Sequence, residues 1–199
     1  TTKLPCYLPT DESFAIYTMQ IIPSILASDE KEFLRCIRSV DKTVSMIHID
    51  VADGVFVSHT TWADPEVIAE ELQIDCELHL MVKNPLEVAR QWEAVDQVKR
   101  VFAHYESDPE HIADILVQIY SYGWNTGVVL NLNTPSDVLK NFAEEIDAVM
   151  CMGVVPGAQC EQFTPTVLKK IKTIKQTYPN LFVELDGGVH KENRSEPDY

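Results

Sequence analysis

The 199-residue chain carries 31 acidic and 16 basic side chains, which gives a formal net charge of −15. Nucleic acids and anionic membranes are bound by clustered Lys and Arg, so this balance argues against both as partners. The sequence shows no apolar run of membrane-spanning length and no signal-peptide pattern. Its five cysteines form no C-x-x-C pair. We therefore expect free thiols and a cytoplasmic location. We also expect a small-molecule partner, and an anionic one would have to be bound by local groups such as backbone N–H donors.

Secondary-structure patterns divide the chain into a short extension and one domain. Residues 1–18 lack a hydrophobic period and are predicted to form an extension, followed by a single catalytic domain over residues 19–199. Strands are predicted at residues 19–26, 46–51, 76–81, 100–104, 126–131, 148–152 and 181–185. Helices are predicted at residues 29–40, 65–72, 85–92, 109–122, 135–144 and 165–177. Five of these helices begin at a proline, where the missing N–H is not needed.

This alternation predicts an α/β protein with a parallel sheet, either a (β/α)8 barrel or an open doubly wound sheet. Polar residues late in successive strands favour the barrel: Ser24, His48, Asp50, His79, Asn131 and Asp186. A barrel gathers the C-terminal ends of its strands into one mouth, whereas an open sheet spreads them along an edge. We therefore predict a (β/α)8 TIM-type barrel whose eighth strand is not evident in the sequence.

Four of these residues form a candidate metal set: His48, Asp50, His79 and Asp186. His48 and Asp50 lie two positions apart on one strand and so share a face, while the others come from two further strands. A lone strand histidine is more often a hydrogen-bonded core residue, and an aspartate at a strand end is often a helix cap. Four together suit one divalent transition ion: Zn, Fe, Mn or Co. Asp53, which precedes a glycine, is predicted to be a plain turn residue.

Five stretches resemble the strand-end motifs of ribulose-phosphate 3-epimerases, in the same order: "IIPSILASD", "IHIDVADGVFV", "ELHLMVKNP", "VMCMGVVPG" and "VELDGGVHKEN". The resemblance covers residues 21–193. It implies a metal-dependent isomerase of carbohydrate metabolism that interconverts D-ribulose 5-phosphate and D-xylulose 5-phosphate in the pentose phosphate route. It also implies that His48, Asp50, His79 and Asp186 bind the metal and that Asp50 and Asp186 are the acid/base pair. The substrate contacts it implies are Ser24, His79, Met81, Met152, Gly157, Ala158, Gly187 and Gly188.

The implied chemistry needs these residue types. Inverting a stereocentre by proton transfer requires one acid/base group on each face of the carbon. The enediolate between the two steps carries negative charge, which a metal stabilises as a Lewis acid. Methionine sulfurs next to the reacting carbons would exclude water. A methionine in a barrel strand is nevertheless more often core filler.

Several positions depart from the family pattern. Ala52 stands where a methionine is usual, and His59 is unexpected near the mouth, where we expect it to be a solvated loop residue. In "VPGAQCEQ", Gln159 and Cys160 replace two glycines that let backbone N–H groups approach a phosphate. Gly187 and Gly188 remain as a second phosphate contact. The four predicted metal ligands are thus all present in the sequence, whereas the predicted phosphate-binding loop differs from the family pattern.

Three alternatives stay open. The first is an epimerase for a different ketose. The second is a catalytically weak relative kept as a metal-binding or subunit-interaction protein. The third, a barrel decarboxylase, is disfavoured because "HIDVADG" has no lysine between its aspartates.

We expect a homo-oligomer. Seven strands do not close a barrel, so we expect the eighth from a segment missing after residue 193, from a neighbouring chain, or not at all in a truncated form. We favour the first of these three explanations.

Overall fold

The computed structural model describes residues 19–40, 42–156 and 163–189. In these residues seven parallel strands form one sheet in chain order. The strands are β1 (Ser24–Ile25), β2 (Met46–Ala52), β3 (Asp75–Met81), β4 (Val98–His104), β5 (Asn125–Leu130), β6 (Ala148–Met152) and β7 (Phe182–Asp186). The helices are α1 (Glu30–Val40), α2 (Pro65–Glu71), α3 (Pro85–Arg90), α4 (Ile112–Tyr120) and α5 (Thr166–Thr177), with 3-10 turns at Tyr105–Ser107 and Ser136–Asn141. This arrangement confirms the predicted TIM-type βα fold.

Two predicted elements differ from the observed ones. Strand β1 pairs only over two residues, where a strand was expected over residues 19–26. Pro23 explains the late start, because it has no N–H to donate and contributes only its carbonyl, which accepts from the His48 N–H at 2.9 Å. The helix expected over residues 135–144 is a 3-10 turn. Its Ser136, Asp137 and Asn141 compete with the helical backbone for hydrogen bonds and weaken an α-helix there.

Some predictions fall on residues that the structure does not describe. These are the extension over residues 1–18, the phosphate loop with Gly157, Ala158, Gln159 and Cys160, and the chain after residue 189. Within the described residues β1 and β7 are the two edge strands of the sheet. The expected source of an eighth strand therefore stays a prediction.

The starts of α1 and α2 follow from capping side chains. In α1 the Glu32 carboxylate accepts from the Ser28 N–H at 2.9 Å, and Asp29 accepts from the Glu32 N–H at 2.8 Å. In α2 Asp64 is the N-cap and accepts from two backbone N–H groups, while Pro65 occupies the first helical position. Such caps satisfy N–H groups that have no partner inside the helix. In these two helices the caps fix where the helix begins at the mouth of the sheet.

The two faces of the sheet carry different side chains. Outward-facing residues pack against the helices, as Ile47, Leu78 and Val101 do in one cluster with Ile68 and Trp92. Inward-facing residues alternate with them along each strand. On β5 and β6 the interior is apolar and joins Phe102 of β4 in a separate cluster of Phe102, Val129, Ala148, Met150, Met152 and Val154. On β2 and β3 it is polar, since His48, Asp50, Glu77 and His79 are all buried there.

Gly127 on β5 makes room for the interior aromatic ring. A Cβ atom at this position would overlap the Phe102 ring and press on the Ala148 methyl group. The register places these three residues side by side on β4, β5 and β6. The absence of a side chain at residue 127 thus lets Phe102 fill the interior beneath the mouth.

The described cysteines are free thiols, as predicted. Cys36 is half-buried, whereas Cys76 and Cys151 are fully buried. Burial raises the pKa of both the Cys76 and the Cys151 thiol to about 12. Both side chains are therefore uncharged core residues and not reactive nucleophiles.

Candidate metal centre and active site

The strand register brings the four predicted ligands to one end of the sheet. Asp50 on β2 pairs with His79 on β3, and Asp186 is the last residue of β7. His48 lies two residues before Asp50 and faces the same interior. Their candidate ligand atoms all lie within 4.8 Å of one another. The sequence therefore predicted a set of residues that the fold does bring together.

The atoms of this set face a common point. His79 Nδ1 lies 3.0 Å from Asp50 Oδ1 and 3.6 Å from Asp186 Oδ2, and His48 Nε2 lies 3.4 Å from Asp50 Oδ1. His48 Nε2 is buried and has no hydrogen-bond partner among the described residues. A buried nitrogen that makes no well-formed hydrogen bond, and only a 3.4 Å ion-pair contact, is costly unless something else binds it. Together with two carboxylates and a second imidazole, it fits a divalent cation.

The charges of the set support the same interpretation. Burial opposes ionisation of Asp50, but His48 and His79 hold the pKa of this carboxyl well below its usual range. Burial likewise opposes a charge on His48, but the Asp50 and Glu77 carboxylates raise its pKa well above the usual value. The acidic surroundings that attract a proton to His48 would also attract a metal cation.

A buried ion-pair network, which the sequence analysis missed, lies below His48. Glu77 Oε1 is 2.8 Å from His48 Nδ1, and Arg100 Nη1 is 2.9 Å from Glu77 Oε2. Glu184 on β7 completes the network, 3.5 Å from the same guanidinium. Burial and the Glu77 carboxylate raise the pKa of Glu184 to about 8. One signal was available, because Glu77 lies two residues before His79 and so faces the same interior.

Replacing Arg100 by Met should destabilise the protein by about 3 kcal/mol, because the buried Glu77 carboxylate would lose one of its two charged partners and keep only His48. Arg100 also packs its guanidinium 4.4 Å from the centre of the Phe182 ring, a contact that Met keeps only in part. Urea denaturation monitored by circular dichroism measures the change. Lys99→Met is the matched control, since the Lys99–Asp75 pair at 3.7 Å is exposed and should contribute about 0.5 kcal/mol or less. Equal small losses in both variants would contradict the importance of the network.

A second chain of polar residues, also missed, leads away from His79. His79 Nε2 lies 2.8 Å from His104 Nε2, and His104 Nδ1 lies 3.3 Å from Glu106 Oε2. Burial lowers the pKa of His104 to about 4, although the Glu106 carboxylate opposes this shift. His104 is therefore a neutral imidazole. The sequence held a signal here too, because His104 ends a predicted strand as the other site residues do.

The predicted substrate contacts that the structure describes lie at the same end of the sheet and differ in how exposed they are. Ser24 is exposed and pairs in register with His48. Met81, the last residue of β3, is buried, and so is Met152, which pairs with Asp186. Their roles toward a substrate remain predictions. Gly157 and Ala158 lie outside the described residues.

The backbone after β7 depends on glycines. Gly187 and Gly188 have positive φ values of 91° and 70°, a left-handed conformation that L side chains rarely adopt. Gly153, just after β6, donates its N–H to the Asp186 carbonyl at 2.6 Å. A Cβ atom at residue 153 would overlap the Gly187 carbonyl oxygen. The position of Asp186 is thus set by a close approach of two backbones.

The loop after β2 confirms one prediction and corrects another. Asp53 is a turn residue, since its carboxylate accepts from the Val55 and Phe56 N–H groups at 2.8 Å. It also accepts from the Lys83 N–H at 2.7 Å and so ties this loop to the one after β3. His59, expected to be solvated, is half-buried with its Nε2 atom out of solvent. The cause is that the loop folds back on itself through a bridge between Asp53 and residue 60.

A parallel βα sheet with two imidazoles and two carboxylates at its carboxyl end defines an enzyme of the TIM-barrel class. The comparisons with known proteins narrow this class. The Ribulose-phosphate 3 epimerase family model matches residues 20–197. The chain belongs to this family and is an enzyme of the isomerase class.

Individual relatives agree with this family. The chain is 34% identical over 182 residues to the ribulose-phosphate 3-epimerase of Schizosaccharomyces pombe, which covers 85% of this chain and 76% of the relative. It is 32% identical over 182 residues to that of Bacillus subtilis, with 87% and 83% covered.

Among solved structures, a mutant tryptophan synthase alpha-subunit from Pyrococcus furiosus superposes with a TM-score of 0.66 at 15% identity, covering 84% of this chain and 78% of that chain. This likeness supports the fold alone. None of the helices in the described part of the chain has the length and apolar character needed to cross a bilayer.

Proposed function

We propose that this protein interconverts D-ribulose 5-phosphate and D-xylulose 5-phosphate by proton transfer between two aspartates, with one divalent transition ion bound by His48, Asp50, His79 and Asp186. One observation carries the proposal. Asp50 from β2 and Asp186 from β7 approach the same His79 nitrogen, at 3.0 and 3.6 Å, from two different strands. Inversion of a carbon centre requires two acid/base groups close to one carbon, and these two carboxylates from separate strands would serve as that pair.

The two aspartates differ in their surroundings. Asp50 is buried, and its low pKa keeps it ionised, so it can accept a proton at neutral pH. The Asp186 side chain is 22% exposed and so lies open to solvent at the mouth. In either direction one carboxylate removes the C3 proton and the other, as the acid, protonates the opposite face of the enediolate. The chemistry that a divalent ion supplies in such a site is Lewis-acid stabilisation of negative charge on oxygen.

Other residues of the mouth would bind and shield the substrate. The Ser24 hydroxyl lies beside His48 in the register and is available as a hydrogen-bonding group for the sugar. Met81 and Met152 are buried at the ends of β3 and β6 and would form an apolar, water-excluding wall. Gly187 and Gly188, with Gly157 and Ala158, would offer backbone N–H groups to the phosphate.

A coupled assay tests the proposal. Purified protein is incubated with D-ribulose 5-phosphate in the presence of Mn, Zn, Co or Fe, and any D-xylulose 5-phosphate is coupled to a reporter enzyme. We expect turnover that is lost on chelation and restored by metal. Metal binding without turnover would favour the catalytically weak relative, and turnover only with another ketose phosphate would favour a different substrate. The homo-oligomer and the cytoplasmic location are part of the same proposal, and light scattering and cell fractionation test them.

Restoring two glycines in the phosphate loop should improve phosphate binding. The Gln159→Gly, Cys160→Gly double variant should lower the KM for the phosphorylated ketose by about five- to tenfold, the equivalent of one added hydrogen bond. The KM for the unphosphorylated ketose should not change, because the loop would contact only the phosphate. Steady-state kinetics with both sugars makes the comparison. Equal effects on both would show that this loop does not hold phosphate.

A further inference from the structure

We propose that His104 and Glu106 are positioning residues that fix the tautomer and ring orientation of His79. A series of hydrogen bonds runs from the Glu106 carboxylate through the His104 imidazole to the His79 imidazole. This inference rests on the proposed metal site, because it concerns how one of the ligands of that site is held.

The contact between the two imidazoles has the geometry of a hydrogen bond. Their Nε2 atoms are 2.8 Å apart, and the ring planes are inclined by only 25°. In nearly coplanar rings the N–H bond and the opposing lone pair both lie in the ring planes and point at each other. Two nitrogens this close share one proton, because two N–H groups facing each other would repel. One imidazole therefore donates and the other accepts.

The proton positions follow from the other ring atoms. With a metal in the proposed site, His79 Nδ1, which faces Asp50 and Asp186, would offer its lone pair to the ion. Its proton then sits on Nε2 and is donated to His104 Nε2. His104 must carry its own proton on Nδ1, where Glu106 Oε2 accepts it at 3.3 Å. The carboxylate at the end of the chain thus selects the only tautomers that leave His79 Nδ1 free for a cation.

The Glu106 carboxylate, at the other end of this hydrogen-bonded series, is held by the loop after β5. Glu106 Oε1 accepts from the Asn131 N–H at 3.0 Å and from the Thr134 hydroxyl, both after β5. The side chains of His79 and His104 are fully buried, and the Phe56 ring packs 4.7 Å from His104. Water therefore cannot replace a missing partner easily. His48, in contrast, contacts its carboxylate Glu77 directly.

Zinc affinity of the full-length protein, measured by competition with a chromophoric chelator, tests the proposal. His104→Leu removes the acceptor and should weaken zinc binding about 10- to 100-fold, the usual effect of losing such a partner. His104→Gln should restore most of the affinity, because its amide oxygen can accept from His79. Glu106→Gln should weaken binding less than His104→Leu. His111→Leu is the matched control, since its imidazole contacts Asp108 at 3.1 Å but is exposed, and it should bind zinc as the wild type does.

Nitrogen-15 NMR of the zinc-loaded wild type gives a second readout that needs no variant. We expect His79 to be protonated at Nε2 and His104 at Nδ1, and the opposite tautomer of either would overturn the proposal. Equal zinc affinity in the wild type and His104→Leu would also overturn it. A His79→Ala variant with unchanged affinity would instead overturn the metal site itself, so the two failures can be distinguished.

Discussion

Asp50→Asn and Asp186→Asn should each lower kcat/KM for the interconversion by about two to four orders of magnitude, the usual contribution of an acid/base group. Asparagine keeps the size of the side chain but cannot remove or return a proton. In heavy water the wild type should incorporate deuterium at C3 of both epimers. Each variant should exchange the C3 proton of one epimer only, and the two variants should act on opposite epimers, because each retains the carboxylate of one face.

The metal content of both variants must be measured alongside, because Asp50 and Asp186 also belong to the candidate ligand set. Asp64→Asn is the control, since asparagine caps a helix about as well as aspartate and residue 64 lies at the start of α2. It should show wild-type kinetics. Normal turnover in either metal-loaded site variant would exclude a two-aspartate mechanism.

The purified wild type should contain close to one transition ion per chain, and His79→Ala should bind it more than 100-fold more weakly. A direct ligand contributes more than the outer partners, whose loss costs about 10- to 100-fold. Elemental analysis after dialysis against a weak chelator measures the content, and epimerase activity should fall in parallel. His111→Ala, a change at an exposed imidazole, should keep both. Full occupancy in His79→Ala would refute the assignment of this ligand.

Much of the fold could be predicted because most strands are apolar runs, several of which carry polar residues toward their carboxyl ends. His48, Asp50, His79 and Asp186 stand at such ends, and parallel strands bring their carboxyl ends to one edge of the sheet. The family motifs that carry the same residues pointed to the same enzyme. Local pattern therefore predicted which four side chains the fold brings together, without knowledge of their distances.

The partners of the candidate ligands could not be predicted in the same way. Arg100 lies at the start of a predicted strand, and only the β3–β4 register places it beside Glu77. That register contains an irregularity between residues 76 and 77, which no sequence pattern indicates. Glu106 follows its strand in a 3-10 turn, so its approach to His104 depends on loop geometry. The hydrophobic periodicity of one segment does not predict contacts that depend on strand register or on loop geometry.

The approach of Gly153 to Asp186 and Gly187 has a consequence for how this enzyme can evolve. Because the ends of β6 and β7 meet through backbone atoms, any side chain at residue 153 would push the two strands apart. Such a substitution would shift the strand that carries Asp186 and leave the carboxylate itself unaltered. We therefore expect this position to accept only glycine, although it carries no functional group. In a survey of mutational tolerance we expect Gly153 to be as intolerant of substitution as Asp50 and Asp186, because any side chain there would overlap the neighbouring backbone.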